Sequence, residues 1–205
     1  VNKIFVLGGT KTGTSHCQVC LETMFPNRRI ASCSKQGDDV WTTKLLAGDM
    51  SFLDDADIFL DGGRWDYVLP DAFLETLDPE HTIVLNRNPV DWLFSEMAYF
   101  DEMFKIHHKT PKKLLLLFLY MRNTMYYKFT KYGFKKYSID KDKEMIDWLL
   151  DVFPTNISEV DLTRLRTIKY NSNTYEKDDP NVLYILEHLN ITPEEAESDY
   201  IMRLL

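Results

Sequence analysis

The chain has 205 residues, of which 44% are hydrophobic and 27% charged, and its formal net charge is −8. That is enough chain for one sizeable core of ordinary soluble-protein composition, and its acidity argues against a protein built to coat nucleic acid or polyanionic glycan. Cys17, Cys20 and Cys33, the 3 cysteines, are too few for a disulfide framework and fit a reducing compartment.

Lys3 to Leu7, "KIFVL", reads as a β-strand that runs into the loop Gly8-Gly9-Thr10-Lys11-Thr12-Gly13-Thr14-Ser15. Ser15 to Met24 then has helical spacing, and Pro26 ends it. Strand, glycine loop and helix in that order are the context a phosphate-binding loop requires. Gly8 and Gly13 have the spacing of G-x-x-x-x-G-K-[ST], but Thr14 occupies the lysine position of that motif, and Lys11 lies inside the loop. Cys17-x-x-Cys20 falls at the helix start with no second pair at zinc spacing, and reads as two small buried hydrophobes. The opening residues read as that strand rather than as a signal peptide, and the longest apolar run, Leu114 to Met121, is too short for a bilayer. A cytoplasmic protein with no membrane or nucleic-acid partner is expected.

Arg29 to Cys33 is a candidate second strand, and Asp38 to Ala47 has helical spacing. Asp57 to Leu60 is a third apolar run, closed by Asp61-Gly62-Gly63, and a helix is expected from Tyr67 to Leu77. His81 to Asn86 is a further strand, after which Arg87-Asn88-Pro89 opens a helix from Val90 to about Phe104. Thr110 to Tyr132 reads as a long helix rich in Leu, Met and Tyr, and Lys141 to Phe153 as another. Arg166 to Tyr170 reads as a late strand, and Pro180 to Leu189 and Pro193 to Leu204 as closing helices. Strands alternating with helices predict an α/β three-layer sandwich around a central parallel sheet of about five strands, formed by a single domain over residues 1–205.

In such sheets ligands bind beyond the carboxyl ends of the strands. Three loops converge there in this reading: Gly8–Ser15, Asp61–Arg64 and Arg87–Pro89. The first combines backbone amides, a helix N-terminus, the hydroxyls of Thr12, Thr14 and Ser15, and the Lys11 charge, which together suit a phosphate-like anion.

The string Thr10-Lys11-Thr12-Gly13-Thr14-Ser15 resembles the "PKTGTT" loop of sulfotransferases that use 3′-phosphoadenosine 5′-phosphosulfate (PAPS). "LNRNPVDWLFS" is similar to that family's strand ending in arginine, its R-[DN]-P turn, and a serine eight residues after the arginine, matched by Arg87 and Ser95. "DADIFLDGGRWDYVLPDAFLETLDPEHTIVLNR" and "LRTIKYNSNTYEKDDPNVLYILEHLNI" match the family in layout, so the resemblance covers most of the chain. Its size is that of compact, bacterial- or phage-like members. The resemblance implies a P-loop-type fold in which Gly9, Thr10, Lys11, Thr12, Gly13, Thr14 and Ser15 hold the 5′-phosphosulfate of PAPS and Arg87 and Ser95 its 3′-phosphate. It implies PAP as product and no metal requirement.

The chain departs from the pattern at Thr10, which replaces a proline, and at His16, which replaces a bulky apolar residue. It lacks a basic "RKG" segment near its C-terminus; Lys135 and Lys136 read as substitutes for it or as a solvated basic patch. The family's general base is a histidine or carboxylate near the end of the strand before the arginine strand. Asp61 and Asp66 are the candidates, alongside Lys11 as the other catalytic residue; His16 is a third candidate base, and loop or capping aspartates are the plain alternative. Trp41, Trp65, Tyr99 and Phe100 are either an apolar wall for a small-molecule or glycan acceptor or part of the core. His107 and His108 read as surface residues, His81 and His188 as structural.

Two other readings stand beside this one. A P-loop nucleotide or small-molecule kinase would need Mg²⁺, with Asp61 as a ligand, and lid arginines, yet Arg122 is the only arginine between Arg87 and Arg164. A catalytically inactive PAP-binding module would bind the nucleotide without turnover. The acceptor and the oligomeric state are not legible in the sequence.

Overall fold

The computed structural model describes residues 3–8, 13–32, 41–60, 63–64, 67–87, 95, 131–138, 142–152, 155–167 and 180–190. In chain order these form β1 (Ile4–Leu7), α1 (Thr14–Met24), β2 (Ile30–Ser32), α2 (Trp41–Leu46), α3 (Phe52–Asp55) and β3 (Ile58–Leu60). There follow β4 (Gly63–Arg64), β5 (Tyr67–Val68), α4 (Asp71–Leu74), β6 (Thr82–Asn86), β7 (Lys135–Ser138), α5 (Asp142–Val152), α6 (Glu159–Thr167) and α7 (Pro180–Leu189).

Five strands make one parallel sheet in the order β2-β3-β1-β6-β7. Its strands β1 and β3 are short and wholly apolar, and β6 carries the apolar run Ile83–Leu85, as expected where helices cover both faces. On one face Ile4, Val6, Ile58, Leu60, Ile83 and Leu85 pack with Cys17, Cys20, Leu21 and Met24 of α1. Met145, Ile146, Trp148 and Leu149 of α5 and Leu162 and Leu165 of α6 complete that layer. On the other face the alternate residues Phe5 and Phe59 meet an aromatic cluster of Trp41, Phe52 and Phe73 from α2, α3 and α4. The expected α/β architecture with five parallel strands flanked by helices is therefore present. Among the described residues no helix is long and apolar enough to cross a membrane.

Three expectations are corrected. The helix expected over Tyr67 to Leu77 is instead a two-strand ribbon, Gly63↔Val68 and Arg64↔Tyr67, followed by α4 from Asp71 to Leu74. Pro70 explains the change: a residue before proline is pushed out of the helical region, so no helix runs through Leu69-Pro70. The strand expected from Arg166 is helical at Arg166 and Thr167, which close α6; Ile168–Tyr170 lie outside the described residues. Ser158 starts α6, its Oγ accepting the Asp161 amide at 3.1 Å while its hydroxyl donates to Asp161 Oδ2 at 2.6 Å, a serine N-cap that satisfies one of the helix's first amides. Finally, Lys135 to Ser138 is a fifth strand, in register with Ile83 to Asn86. Of the helices expected over Val90–Phe104, Thr110–Tyr132 and Pro193–Leu204, only helical Ser95 and the turn at Lys131 and Tyr132 fall among the described residues.

Candidate anion-binding site

The strand order locates a crevice. From β1 the chain goes toward β2 on one side, and from β6 toward β7 on the other. The connections diverge between β1 and β6, the switch point at which parallel α/β sheets bind ligands beyond their carboxyl ends. The two strands are in register through Leu7↔Val84. Gly8 and Arg87, one and three residues beyond that pair, thus leave the same end of the sheet on adjacent strands.

On the β1 side, the chain enters α1 through Gly13, whose φ of 96° and ψ of 16° lie in the left-handed region. A side chain there costs roughly 1–2 kcal/mol, which accounts for the glycine. The Cys17 amide makes the first intrahelical bond, to Gly13 O at 2.9 Å. A glycine cap brings no side-chain oxygen, and the first turn of α1 holds no acidic residue. The positive end of the helix dipole thus has no side-chain cap or first-turn carboxylate to complement it, an arrangement that suits an anion. Thr14 is buried at the helix start and Ser15 is exposed.

On the β6 side, Arg87 is partly buried directly after the strand. Ser95 is helical and only 6% exposed. The structure thus brings Gly13, Thr14, Ser15 and Arg87 to one end of the sheet. Gly9, Thr10, Lys11, Thr12, Asp61 and Asp66 lie outside the described residues, as do Cys33, Trp65, Tyr99, Phe100, His107 and His108.

The neighbouring side chains separate more clearly. His16 is buried, with Nε2 at 3.6 Å from Cys20 Sγ one turn along α1, so this ring contact runs along the helix into the core rather than back to the loop. Cys17 and Cys20 are core thiols, as their helical spacing suggested. Trp41 is core, not an acceptor wall. Its ring lies edge-on to Phe5 and Phe59, and Nε1 donates to Leu60 O at 3.0 Å. That bond pins the last residue of β3, immediately before Asp61, and no pattern in the sequence announces it. Lys135 is exposed, but Lys136 is partly buried on β7, and burial holds its ammonium below the usual lysine pKa. The pair is a strand with one desolvated cation rather than a uniformly solvated patch. His81 donates from Nδ1 to Asp78 Oδ2 at 2.7 Å, and His188 stacks on Tyr184. Among the described residues no group of three or more His, Cys, Asp or Glu side chains could hold a metal ion.

Compared with models of protein families, with curated proteins and with solved structures, the chain matches none.

Proposed function

We propose that this chain is a P-loop-type, PAPS-dependent sulfotransferase that acts in the cytoplasm on a hydroxyl or amine of a small-molecule or glycan acceptor. The observation that carries the reading is the pairing of two anion sites across one crevice. A glycine-capped helix start leaves β1, and an arginine leaves β6, at the switch point of the sheet. PAPS has two separated anionic groups, a 5′-phosphosulfate for the first and a 3′-phosphate for the second. The loop string and the Arg87–Ser95 spacing support the same assignment.

In the reaction the acceptor oxygen or nitrogen attacks sulfur in line with the bridging oxygen. The new bond to sulfur forms as the bond from sulfur to the phosphate oxygen breaks, and the electron pair leaves with PAP. The acceptor proton passes to a carboxylate, with Asp61 or Asp66 in that role. Charge builds on the leaving oxygen, where the first-turn amides of α1 and the Lys11 ammonium stabilise it. The transferring group carries a single negative charge, so these donors suffice without Mg²⁺. Lys11 lies inside the loop because it serves that bridging oxygen instead of spanning β- and γ-phosphates. Ser95, buried beyond Arg87 in the chain, would add a hydroxyl to the 3′-phosphate site.

Isothermal titration with PAP and with ATP, each with and without Mg²⁺, tests the reading. Metal-independent PAP binding is expected, weakened in Arg87→Ala by about 2–4 kcal/mol, the range for truncating one partner of a buried charge pair. Mg²⁺-dependent ATP binding would replace the sulfotransferase with a kinase. PAP binding with no turnover of PAPS across an acceptor panel would leave a nucleotide-binding module.

A further inference from the structure

A cavity of about 250 Å³ opens at the other end of the sheet, against the amino ends of β1 and β6. Phe5, Leu53, Phe73 and Leu77 give it an apolar floor, and Lys3, Asp78 and His81 are its charged or titratable neighbours. It lies away from the switch point and belongs to none of the loops assigned above.

The polar groups at its rim are not equivalent. Both Asp78 oxygens are engaged, Oδ1 by the Glu80 amide at 2.9 Å and Oδ2 by His81 Nδ1 at 2.7 Å. These hydrogen bonds lower the carboxyl pKa, the amide first and the imidazole second. The Lys3 ammonium is fixed differently. It donates to Ala56 O at 2.7 Å and has no carboxylate partner among the described residues. An ammonium carries three donors, so two remain beside an apolar cavity. Ligand pockets typically measure about 300–1,000 Å³ and combine an apolar lining with a few fixed polar groups. At about 250 Å³ this one falls just below that range, which limits it to a compact ligand. Met50, 45% exposed at the mouth, is an unbranched side chain able to adapt to an entering group.

We propose that this cavity binds a small carboxylate with a compact apolar body, its carboxylate on Lys3 and its body against Phe5, Phe73 and Leu77. The match is one of charge and size. The open cation selects a monoanion, the apolar floor selects a hydrocarbon or aromatic body, and the volume excludes a nucleotide. The site is independent of the PAPS reading and stands or falls without it.

Titration with phenylacetate and with its uncharged counterpart 2-phenylethanol, followed by protein NMR shifts, is the test. Phenylacetate is expected to bind with a dissociation constant of about 1 mM or tighter, and 2-phenylethanol about tenfold more weakly. Lys3→Met keeps the aliphatic stem and should bring phenylacetate down to the alcohol's affinity. Thr76→Trp, at the exposed rim, should block both ligands, and thermal melting establishes that each variant is folded. No phenylacetate binding to the wild-type protein, equal affinity for the two ligands, or binding undiminished in folded Lys3→Met or Thr76→Trp would each overturn the proposal.

Discussion

Single residues show where the interior departs from full satisfaction. Thr82 opens β6 with 0% exposure, and its Oγ1 has no hydrogen-bond partner among the described residues. A buried hydroxyl left in this state costs stability that an apolar group of the same shape does not. Thr82→Val is therefore expected to raise stability by about 1 kcal/mol, read as a higher denaturant midpoint at unchanged slope. A loss would mean that the hydroxyl has a partner, such as a bound water. Trp41 shows the opposite case, since its indole N–H is satisfied by Leu60 O inside the aromatic cluster. Composition at position 41 allowed either a ligand wall or core. The choice depends on Phe5, Phe59 and Phe73, which are far from it in the chain and near it only after folding.

At the scale of elements, local chemistry decides most boundaries. Asp142–Val152 and Pro180–Leu189 form helices as their patterning predicts, and Pro70 and the Ser158 cap explain two places where periodicity alone misleads. In the proposed function the start of α1 carries the most weight. With φ at 96°, Gly13→Ala is expected to cost roughly 1–2 kcal/mol of stability. It should also weaken PAP binding, because the shift displaces the first-turn amides. Chemical denaturation and titration on the same preparation separate the two effects. Full stability in Gly13→Ala would refute the left-handed assignment, and full stability loss with unchanged affinity would remove this helix start from the nucleotide site.

For the whole molecule, the sheet is built from the inside outward, with β1 at its centre and β7 at one edge. Lysines suit an edge strand because they discourage pairing with other chains. Lys136 is nevertheless partly buried, and desolvation holds its pKa below 10.5. A cation whose folded pKa is depressed destabilises the fold while charged. That handicap is complete below the folded value, shrinks as pH rises through it and through 10.5, and is gone only above 10.5, where both states are neutral. Lys136→Met should therefore melt about 1–2 °C above wild type near pH 7, a small effect because the group is also partly solvated. The gap should narrow as pH rises through the folded value and close above lysine's ordinary value. Tyr137, whose pKa is raised by burial and by Glu144 and Asp151, titrates in the same alkaline range, but it is present in both proteins and cancels in the difference. A gap that is independent of pH would assign the gain to packing alone.

By itself the sequence determined what contiguous residues control. The strand Ile4–Leu7, the helix Thr14–Met24 after the glycines, the parallel α/β class and the limits of α5 and α7 follow from periodicity and from local backbone sterics. The tertiary structure decided what depends on distant partners. It set the strand order that brings the ends of β1 and β6 together, recruited Lys135–Ser138 as a fifth strand, placed Trp41 in the core, and left a cavity beside Lys3. Parallel strands are joined only through crossovers, so neither their neighbours nor the face each residue presents is written in any local window of the chain.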